Sequence, residues 1–362
     1  MLIAGRLVQG GFGALLIPQG IGILLRAFSR EQLPRVFSAF GPVMGASAVL
    51  GPIIAGFLIS ADIAGLTWRP IFLINIVLGI AGFIAALRLL PHDGPASAAP
   101  IDGLGSGLLG ASMFALIYGL IEGSTAGWTA VPVLCLAAGA ALLAGFGVRQ
   151  RLAAEPLILP SLLANRGFTA GLLLGLAFFA AVNGLAYVIS LFFQTALGLG
   201  PSAAALALSP LMAGIIVSSI VCRPLVAKLG RVLVVIGLGI TLAGAAGVWA
   251  TVLAEGTGVW TLAPSILVLG TGMGACFSSI YDVAIGDVAP AEAGSASGSL
   301  SAVQQLAAAI GSAVVTTVYF SQRAQHGAGH AMTVSVAVVG AIAVLCLGLA
   351  WLLPRSAPEE QH

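Results

Sequence analysis

Charged side chains are scarce in this chain. Its 362 residues include 14 lysines and arginines and 12 aspartates and glutamates, so only 7% are charged. A soluble domain averages about 25% charged residues, whereas 59% of this chain is hydrophobic. So few charges cannot cover a surface that faces water, which excludes a soluble globular protein and predicts an integral membrane protein. The net charge of +2 is too small to indicate a nucleic-acid partner.

Cysteine and histidine are also few and scattered. The four cysteines are isolated in apolar stretches without a CxxC pair, which is typical of small packing residues. The histidines lie in connections or at the terminus; they are His92, His326, His330 and His362. Neither residue type shows the spacing of a metal site, so we expect no metal and no organic cofactor.

A basic leader is missing as well. Met1 continues directly into the apolar stretch LIAG, whereas a cleavable signal peptide begins with positively charged residues and ends at a small-residue cleavage site. We interpret the chain as one that begins within a longer protein.

The apolar residues fall into segments long enough to cross a bilayer. Connections between them are short, and no soluble domain fits anywhere. The segments are 2–24, 36–59, 70–90, 103–122, 130–148, 168–193, 203–222, 232–253, 261–285, 297–320 and 331–353. We therefore predict an all-α membrane protein, a polytopic bundle of about 11 transmembrane helices.

The basic residues predict the orientation of this bundle. When the connections are sorted alternately, eleven of the 14 basic residues fall in one set, and only Arg69 and Arg323 fall in the other. Arg6 lies within the first segment. Cytoplasmic connections are enriched in lysine and arginine, so we expect the first set, and with it the C-terminus, to be cytoplasmic. The localisation predicted is the cell membrane.

The second segment contains a side made of small residues. Residues 41–60 carry no charge, and one helical face holds Gly41, Gly45, Ala48, Pro52, Ala55 and Gly56. Small residues let two membrane helices approach closely, and Pro52 removes a backbone donor and favours a bend. The pattern fits ordinary helix packing, and it equally fits a hinge-and-contact helix in a protein that changes shape.

The first segment contains a charge. Arg6 is followed by Gln9 and Gly10, which gives a polar patch suited to close packing. An intramembrane charge marks a functional site by default. The alternative is that Arg6 reaches the nearby membrane surface with its long side chain.

Several stretches resemble the signatures of major facilitator superfamily transporters, in the expected order. Arg6 opens RLVQGGFGALLIP, which is similar to the fourth helix of that family, and GASAVLGPIIAG resembles the antiporter signature of the fifth. WRPIFLINIVLGI resembles the sixth helix, FFQTALGLGPSAAALALSP the connection from the ninth to the tenth, and AEAGSASGSLSAVQQLAAAIGSAV the thirteenth. The resemblance is to the fourteen-helix drug/proton antiporters of the EmrB/QacA type. Its more specific parts are the antiporter signature and the stretch 194–198.

The chain departs from this pattern at several places. Phe12 stands where a glycine is usual, and Ala55 replaces the first glycine of a pair that leaves Gly56. Family helices one to three would be absent, so the chain would correspond to helices 4–14. The implied domains are the rest of an N-terminal bundle in 1–90, two extra linker helices in 91–166 and a complete six-helix C-terminal bundle in 167–362.

The stretch RPLVAKLGR resembles the second-half copy of a cytoplasmic loop motif of the family. Its motif residues are Arg223, Lys228, Gly230 and Arg231. The alternative is a positively charged anchor on the cytoplasmic side.

The resemblance implies a secondary active transporter, a proton-coupled exporter of drugs or other amphipathic small molecules that works by alternating access. The proton is the coupling ion, the partners are the substrate and the lipid bilayer, and the usual form is a monomer. Candidates for transport and coupling are Arg6, Gln9, Gly10, Glu122 and Asp282. Asp282 could take up and release a proton; alternatively it is an interfacial acid paired with a cytoplasmic arginine.

The substrate cavity has polar candidates in the last six segments: Asn183, Tyr187, Gln194, Gln304 and Gln305. Hydrogen bonding between helices and plain packing are the ordinary explanations for such residues.

Three other functions compete with a drug exporter. One is the export of a specific metabolite, antibiotic or siderophore, and another is a non-functional, truncated transporter fragment. A membrane-embedded enzyme would need paired carboxylates for a metal–phosphate site or a membrane histidine. The sequence has neither, so we predict that the protein is not an enzyme.

Overall fold

The computed structural model describes residues 5, 8–13, 16, 23, 51, 54–90, 102–153, 156–254, 258–285, 288, 292–351 and 353. The side chains of 64, 223, 226–228, 278, 281–285 and 293 fall outside this description. Within the described residues all regular structure is helical, which confirms the predicted all-α class.

The helices are numbered here from the first one with complete bounds. They are α1 Pro70–Leu89, α2 Gly103–Ala126, α3 Ala130–Leu152, α4 Pro160–Ala164, α5 Arg166–Thr195, α6 Pro201–Ala207, α7 Ser209–Leu229, α8 Arg231–Leu253, α9 Val259–Ile285, α10 Ala293–His326 and α11 Ala328–Ala350. Residues 54–60 form a further helical stretch ahead of α1, and a short 3₁₀ turn, Ile63–Gly65, follows it.

Nine spans in the described ranges are long and apolar enough to cross a membrane. They coincide with the last nine predicted segments, and the two predicted segments before them lie largely outside the described residues. Because the connections are short, successive spans alternate in direction. We call the two ends of the bundle the Arg149 end, where α2, α5, α8 and α10 begin, and the Arg323 end, where those helices finish.

The last six spans pack into a bundle whose contacts repeat. The first triplet is α5, α7 and α8, and the second is α9, α10 and α11. Helix α5 packs on α10 and α11, just as α9 packs on α7 and α8, and the third helices of the two triplets, α8 and α11, also touch. Each contact that the first triplet makes with the second therefore has a counterpart, as expected for an internal structural repeat.

Glycines make the closest crossings in this bundle. A Cβ added to Gly184 of α5 would lie 2.7 Å from the carbonyl oxygen of Gly311 on α10, and one added to Gly311 would collide with the backbone of Ala180. The equivalent crossing of α7 and α9 is also made by glycine, because a Cβ on Gly270 would collide with the Leu211 backbone. Backbones this close give the dispersion contacts that hold membrane helices together.

The hydrophobic core lies inside this bundle. Its largest fully buried side chains on α5 are Phe178, Phe179, Phe192 and Phe193, and Tyr319 joins them from α10. The interior is thus filled with apolar side chains, and the buried polar side chains among them are mostly small hydroxyls such as Thr241 and Ser279.

The helices ahead of this bundle attach to it to different degrees. Helices α2 and α3 form an antiparallel hairpin, and α2 packs along α10. Helix α1 is largely uncovered, since only 6% of its most apolar window is buried.

The span from Pro201 to Cys222 contains a joint. Helix α6 ends at Ala207 and α7 starts at Ser209, with Leu208 between them. Pro210 has no N–H to continue the helical ladder, and its ring crowds the carbonyl four residues earlier. The joint therefore follows from the sequence Leu208-Ser-Pro210.

Candidate functional site: a polar stripe on the C-terminal bundle

One face of α5 is polar in a helix that is otherwise buried. Asn183, Tyr187, Ser190 and Gln194 recur at intervals of three or four residues, which places them on one side of the helix. Asn183, Tyr187 and Gln194 are exposed, and Ser190 is half-buried, whereas their neighbours Gly184, Val188 and Phe192 are buried. We call these four residues the α5 polar stripe.

The stripe is hydrogen-bonded within its own helix. The Asn183 Nδ2 donates to the Phe179 carbonyl at 2.7 Å, and the Gln194 Nε2 donates to the Ser190 Oγ at 3.1 Å. The amide oxygens and the Tyr187 hydroxyl can accept or donate further bonds. This set of neutral polar groups beside an aromatic ring suits a ligand with both polar and apolar parts.

The two glutamines of α10 lie on the neighbouring helix. Gln304 is half-buried and lies two turns before Gly311, on the face that meets α5. Gln305 is exposed and shares its face with Ser301 and Gly298. Only Gln305 therefore faces outward squarely, as the 100° step between adjacent residues predicts.

Polar contacts link α5 and α10 at the Arg323 end of this helix pair. The Tyr319 hydroxyl, on a fully buried side chain, lies 3.2 Å from the Thr195 Oγ1. The Arg323 guanidinium donates to the Thr195 carbonyl at 3.2 Å. Arginine at a helix C-terminus satisfies an orphan carbonyl and complements the helix dipole. Sequence reasoning missed this contact because its partners are more than 120 residues apart.

The helical stretch 54–60, which contains the end of the antiporter-like signature, contacts the C-terminal bundle at Gly56. This glycine is buried, and a Cβ added to it would lie 2.9 Å from the Cα of Ser202 in α6. The hydroxyl of Ser60, one turn later, donates to the Ser202 hydroxyl at 2.8 Å. Gly51 is exposed, and a Cβ added to it would meet none of the residues that the structure describes within 4 Å. The motif residues Gly41, Gly45 and Pro52 lie outside the described residues.

At the Arg149 end, the carboxylate of Asp102 links the two helices of the α2–α3 hairpin. Asp102 is the N-cap of α2, where its side chain accepts a hydrogen bond from the Gly105 N–H at 3.1 Å. Arg149 of α3 pairs with the same carboxylate at 3.1 Å. The hydrogen bonds from Arg149 and then from Gly105 lower the pKa of Asp102 below its usual value.

The connection between α3 and α5 lies against the start of α10. The Gln150 side chain accepts from the Ile158 N–H at 3.0 Å, and the Ser295 hydroxyl donates to the Leu157 carbonyl. Ser161 donates to Glu292, the residue that immediately precedes α10. A small apolar cluster beside them contains Leu162, Phe168 and Ala296. The hairpin is thus fastened to the C-terminal bundle at this end.

The residues predicted for coupling are not drawn together in what the structure describes. Gln9 and Gly10 are helical and exposed, and Glu122 is half-buried near the end of α2. Asp282 lies within α9, but its side chain, like the whole of Arg6, falls outside the described residues. Their proposed roles remain predictions.

The loop-motif stretch ends in a tight turn. Gly230 adopts φ 49° immediately before α8, a backbone conformation that favours glycine. The Arg231 guanidinium lies 5.2 Å from the centre of the Trp351 ring, which is a cation–π contact between the start of α8 and the end of α11. The side chains of Arg223 and Lys228 are outside the described set.

Comparison with known proteins fits this arrangement of spanning helices. Residues 1–312 match the family model of the Major Facilitator Superfamily. The match covers most of the chain, so the chain belongs to this superfamily, as the resemblance implied. That places it in a family of membrane transporters.

Its relatives include antibiotic exporters. The chain is 40% identical over 336 residues to a probable actinorhodin transporter of Streptomyces coelicolor, which covers 88% of this chain and 57% of the relative. It is 32% identical over 327 residues to the tetracenomycin C resistance and export protein of Streptomyces glaucescens, covering 89% and 59%. It is 30% identical over 358 residues to a methylenomycin A resistance protein of Streptomyces coelicolor, covering 97% and 71%. The chain therefore spans a little over half the length of the first two relatives.

Proposed function

We propose that the protein is a proton-coupled exporter of antibiotic-like amphipathic small molecules, of the fourteen-helix drug/proton antiporter type. The observation that carries the proposal is the α5 polar stripe. Asn183, Tyr187 and Gln194 form an exposed row on a helix whose most apolar window is 56% buried. Polar groups inside a membrane are costly and are kept for function, which supports a functional role for this row.

The composition of the stripe suggests the class of substrate. Its groups are neutral donors and acceptors next to an aromatic ring, and Gln305 adds another amide on the neighbouring helix. Such a surface can bind a molecule with a ring system and scattered polar groups without demanding one charge pattern. The relatives named for actinorhodin, tetracenomycin C and methylenomycin A support a substrate among antibiotics.

The proposed mechanism is alternating access. The C-terminal bundle would move as one body, since glycine crossings and the buried aromatic core leave it little freedom. Contact between Gly56 and Ser202 would be a place where the other half bears against it. In this branch the nine described spans correspond to helices six to fourteen.

The orientation and the coupling groups complete the proposal. The Arg149 end would face the cytoplasm of a cell membrane, because most basic residues of the chain lie in connections at that end. Inward proton flow would drive outward substrate flow, with Arg6, Glu122 and Asp282 as candidate coupling groups. We propose a monomer that needs no organic cofactor or metal for transport.

The test is dye or antibiotic accumulation in cells that express the full chain. Expression should lower accumulation, and an uncoupler of the proton gradient should abolish the effect. Tyr187→Ala and Asn183→Ala should reduce efflux without lowering the amount of protein in the membrane. The matched control is Leu345→Ala, a similarly exposed position on α11 (58% exposed) that lies off the stripe.

Efflux that persists with the uncoupler would remove the antiport mechanism. Stripe variants that export as well as the control would remove the binding role of the stripe. A chain that reaches the membrane in normal amount and moves no compound would favour the alternative, a form that does not transport. Export of a single compound and no other would favour the specific metabolite or antibiotic exporter.

A further inference from the structure

Two histidines meet where α10 ends and α11 begins. The ring centres of His326 and His330 are 4.7 Å apart, and the ring planes are inclined by 43°. Both side chains are exposed. The sequence suggested only two residues of a connection, and it is the fold of the turn that makes them neighbours.

The backbone of this turn holds the two rings together. Gly327 separates the helices with φ 86°, a conformation that glycine adopts without strain. Its N–H donates to the Arg323 carbonyl at 3.1 Å, and its carbonyl accepts from the Ala331 N–H at 3.1 Å. Bonds on both sides fix the turn, so the imidazoles are neighbours before any ligand arrives.

We propose that His326 and His330 form a binding site for a divalent transition-metal ion such as Zn²⁺, Ni²⁺ or Cu²⁺. Imidazole nitrogens suit these ions, whereas Mg²⁺ and Ca²⁺ require oxygen ligands. A tetrahedral zinc with bonds of about 2.0–2.1 Å needs two nitrogens roughly 3.3 Å apart. Two exposed rings with centres 4.7 Å apart reach that separation by rotating their side chains.

The site has open coordination positions. Among the described residues no third histidine, cysteine or acid joins the pair. Water or a ligand from solution would complete the coordination, so the ion exchanges with the medium and is not a permanent part of the fold.

A bound ion would reinforce an existing contact. Arg323, one turn before His326, already ties α10 to the end of α5 through the Thr195 carbonyl. An ion shared by His326 and His330 would tie the end of α10 to the start of α11, so three helices would be joined at the Arg323 end. A ligand that binds only the folded state stabilises it, so we expect the ion to raise the melting temperature.

The test uses the full chain, purified in detergent through a tag that contains no histidine. Calorimetric titration with zinc chloride or nickel chloride should give saturable binding of one ion per chain. His326→Ala and His330→Ala should each weaken binding about tenfold or more. His92→Ala and His362→Ala are the matched controls and should leave the affinity unchanged.

A second measurement separates ligation from a general effect on folding. Pulsed EPR with Cu²⁺ should detect two bound imidazoles in the natural chain and one in each single variant. The melting temperature without metal should be the same for all variants, because the two side chains are exposed. Failure of the natural chain to bind, retention of binding in the double variant, or a signal from one imidazole in the natural chain would each overturn the proposal.

Discussion

Helices α5 and α1 are nearly equal in mean hydropathy, yet their surroundings differ sharply. In the most apolar window of α5, 56% of residues are buried, against 6% in α1. Both contain glycines, but a Cβ added to Gly184 of α5 would meet the backbone of α10, whereas one added to Gly79 or Gly82 of α1 would meet no described residue within 4 Å. Hydropathy therefore predicts that a helix crosses the membrane, while the position of its small residues decides whether another helix covers it.

The α2–α3 hairpin lies between these extremes. Its windows are 17% buried. Glycine lets α2 and α3 pack closely on each other, since a Cβ added to Gly119 would lie 2.9 Å from the Pro132 carbonyl oxygen, whereas the connection to the C-terminal bundle is held by polar contacts such as that of Ser161 with Glu292. Polar bonds at the membrane surface are replaceable by water, whereas backbone crossings inside the bilayer are not. We therefore expect the hairpin to separate from the C-terminal bundle more easily than the helices of that bundle separate from each other.

The largest effect should come from a side chain added at the main crossing. Gly311→Val should abolish most of the folded protein, because its Cβ collides with the Ala180 backbone, and overpacking costs about 1–3 kcal/mol and occasionally more. Gly79→Val is the matched control on α1 and should be tolerated. Fluorescence-detected gel filtration of the membrane extract measures both. Equal yields of the two variants would show that the crossing of α5 and α10 tolerates a side chain as well as the uncovered helix α1 does.

Next in size is the contact of the antiporter-like helix. Gly56→Val should lower efflux severalfold at normal protein levels, because the new side chain meets the Ser202 backbone and prevents close approach. Gly51→Val, at an exposed motif glycine with open space around it, should export normally. Efflux and membrane content are measured in the same cells. A Gly51 variant as impaired as the Gly56 variant would contradict the assigned contact.

Breaking the ion pair between Arg149 and Asp102 in the α2–α3 hairpin should have a smaller effect on stability. Arg149→Ala should lower the melting temperature by a few degrees, because the Arg149 side chain is 36% exposed and water screens the pair. Arg151→Ala, at an exposed position two residues later, should leave it unchanged.

The same pair predicts a dependence on pH. Because the pKa of Asp102 in the folded protein is below its ordinary value of 3.8, its contribution is complete above that value and is lost as the pH falls through the lower folded pKa. The natural chain should therefore lose melting temperature below about pH 4, and Arg149→Ala should lose less. An identical loss of melting temperature at low pH in both proteins would contradict a stabilising ion pair between Arg149 and Asp102.

The smallest effect should come from the hydroxyl pair next to Gly56. Ser60→Ala removes the bond to Ser202, and its exposure limits the loss to about 0.5 kcal/mol or less. Thermal unfolding should barely change, and efflux should be close to normal. A large loss of efflux in this variant would mean that the hydroxyls, rather than the close backbone approach at Gly56, control the contact.

Much of the fold could be read from the sequence, because a continuous apolar run of the right length leaves few alternatives in a bilayer. Helix ends were harder to predict. The segment 297–320 extends in the structure to Ala293–His326, since serine, glutamine and arginine continue a helix that is no longer apolar. The short α4, Pro160–Ala164, and the joint at Leu208 carry no hydropathy signal of their own.

The candidate site was predictable in its residues but not in its partners. The spacing of Asn183, Tyr187 and Gln194 already places them on one face. Which face other helices cover depends on crossings such as Gly184 with Gly311, and these are set by long-range packing. The Asp102 cap follows from local chemistry, whereas its pairing with Arg149, 47 residues away, could not be inferred without the fold.

The joint at Leu208 has a consequence for how force passes through the molecule. Ser202 lies on the short helix α6 on one side of this joint, and the longer helix α7 on the other side is held by glycine packing against α9. Because Pro210 removes one hydrogen bond of the helical ladder, α6 can tilt relative to α7 at this joint. Small displacements of the 54–60 helix can be absorbed there by tilting seven residues, so the surface that Gly56 touches can follow its neighbour while the aromatic interior stays in place.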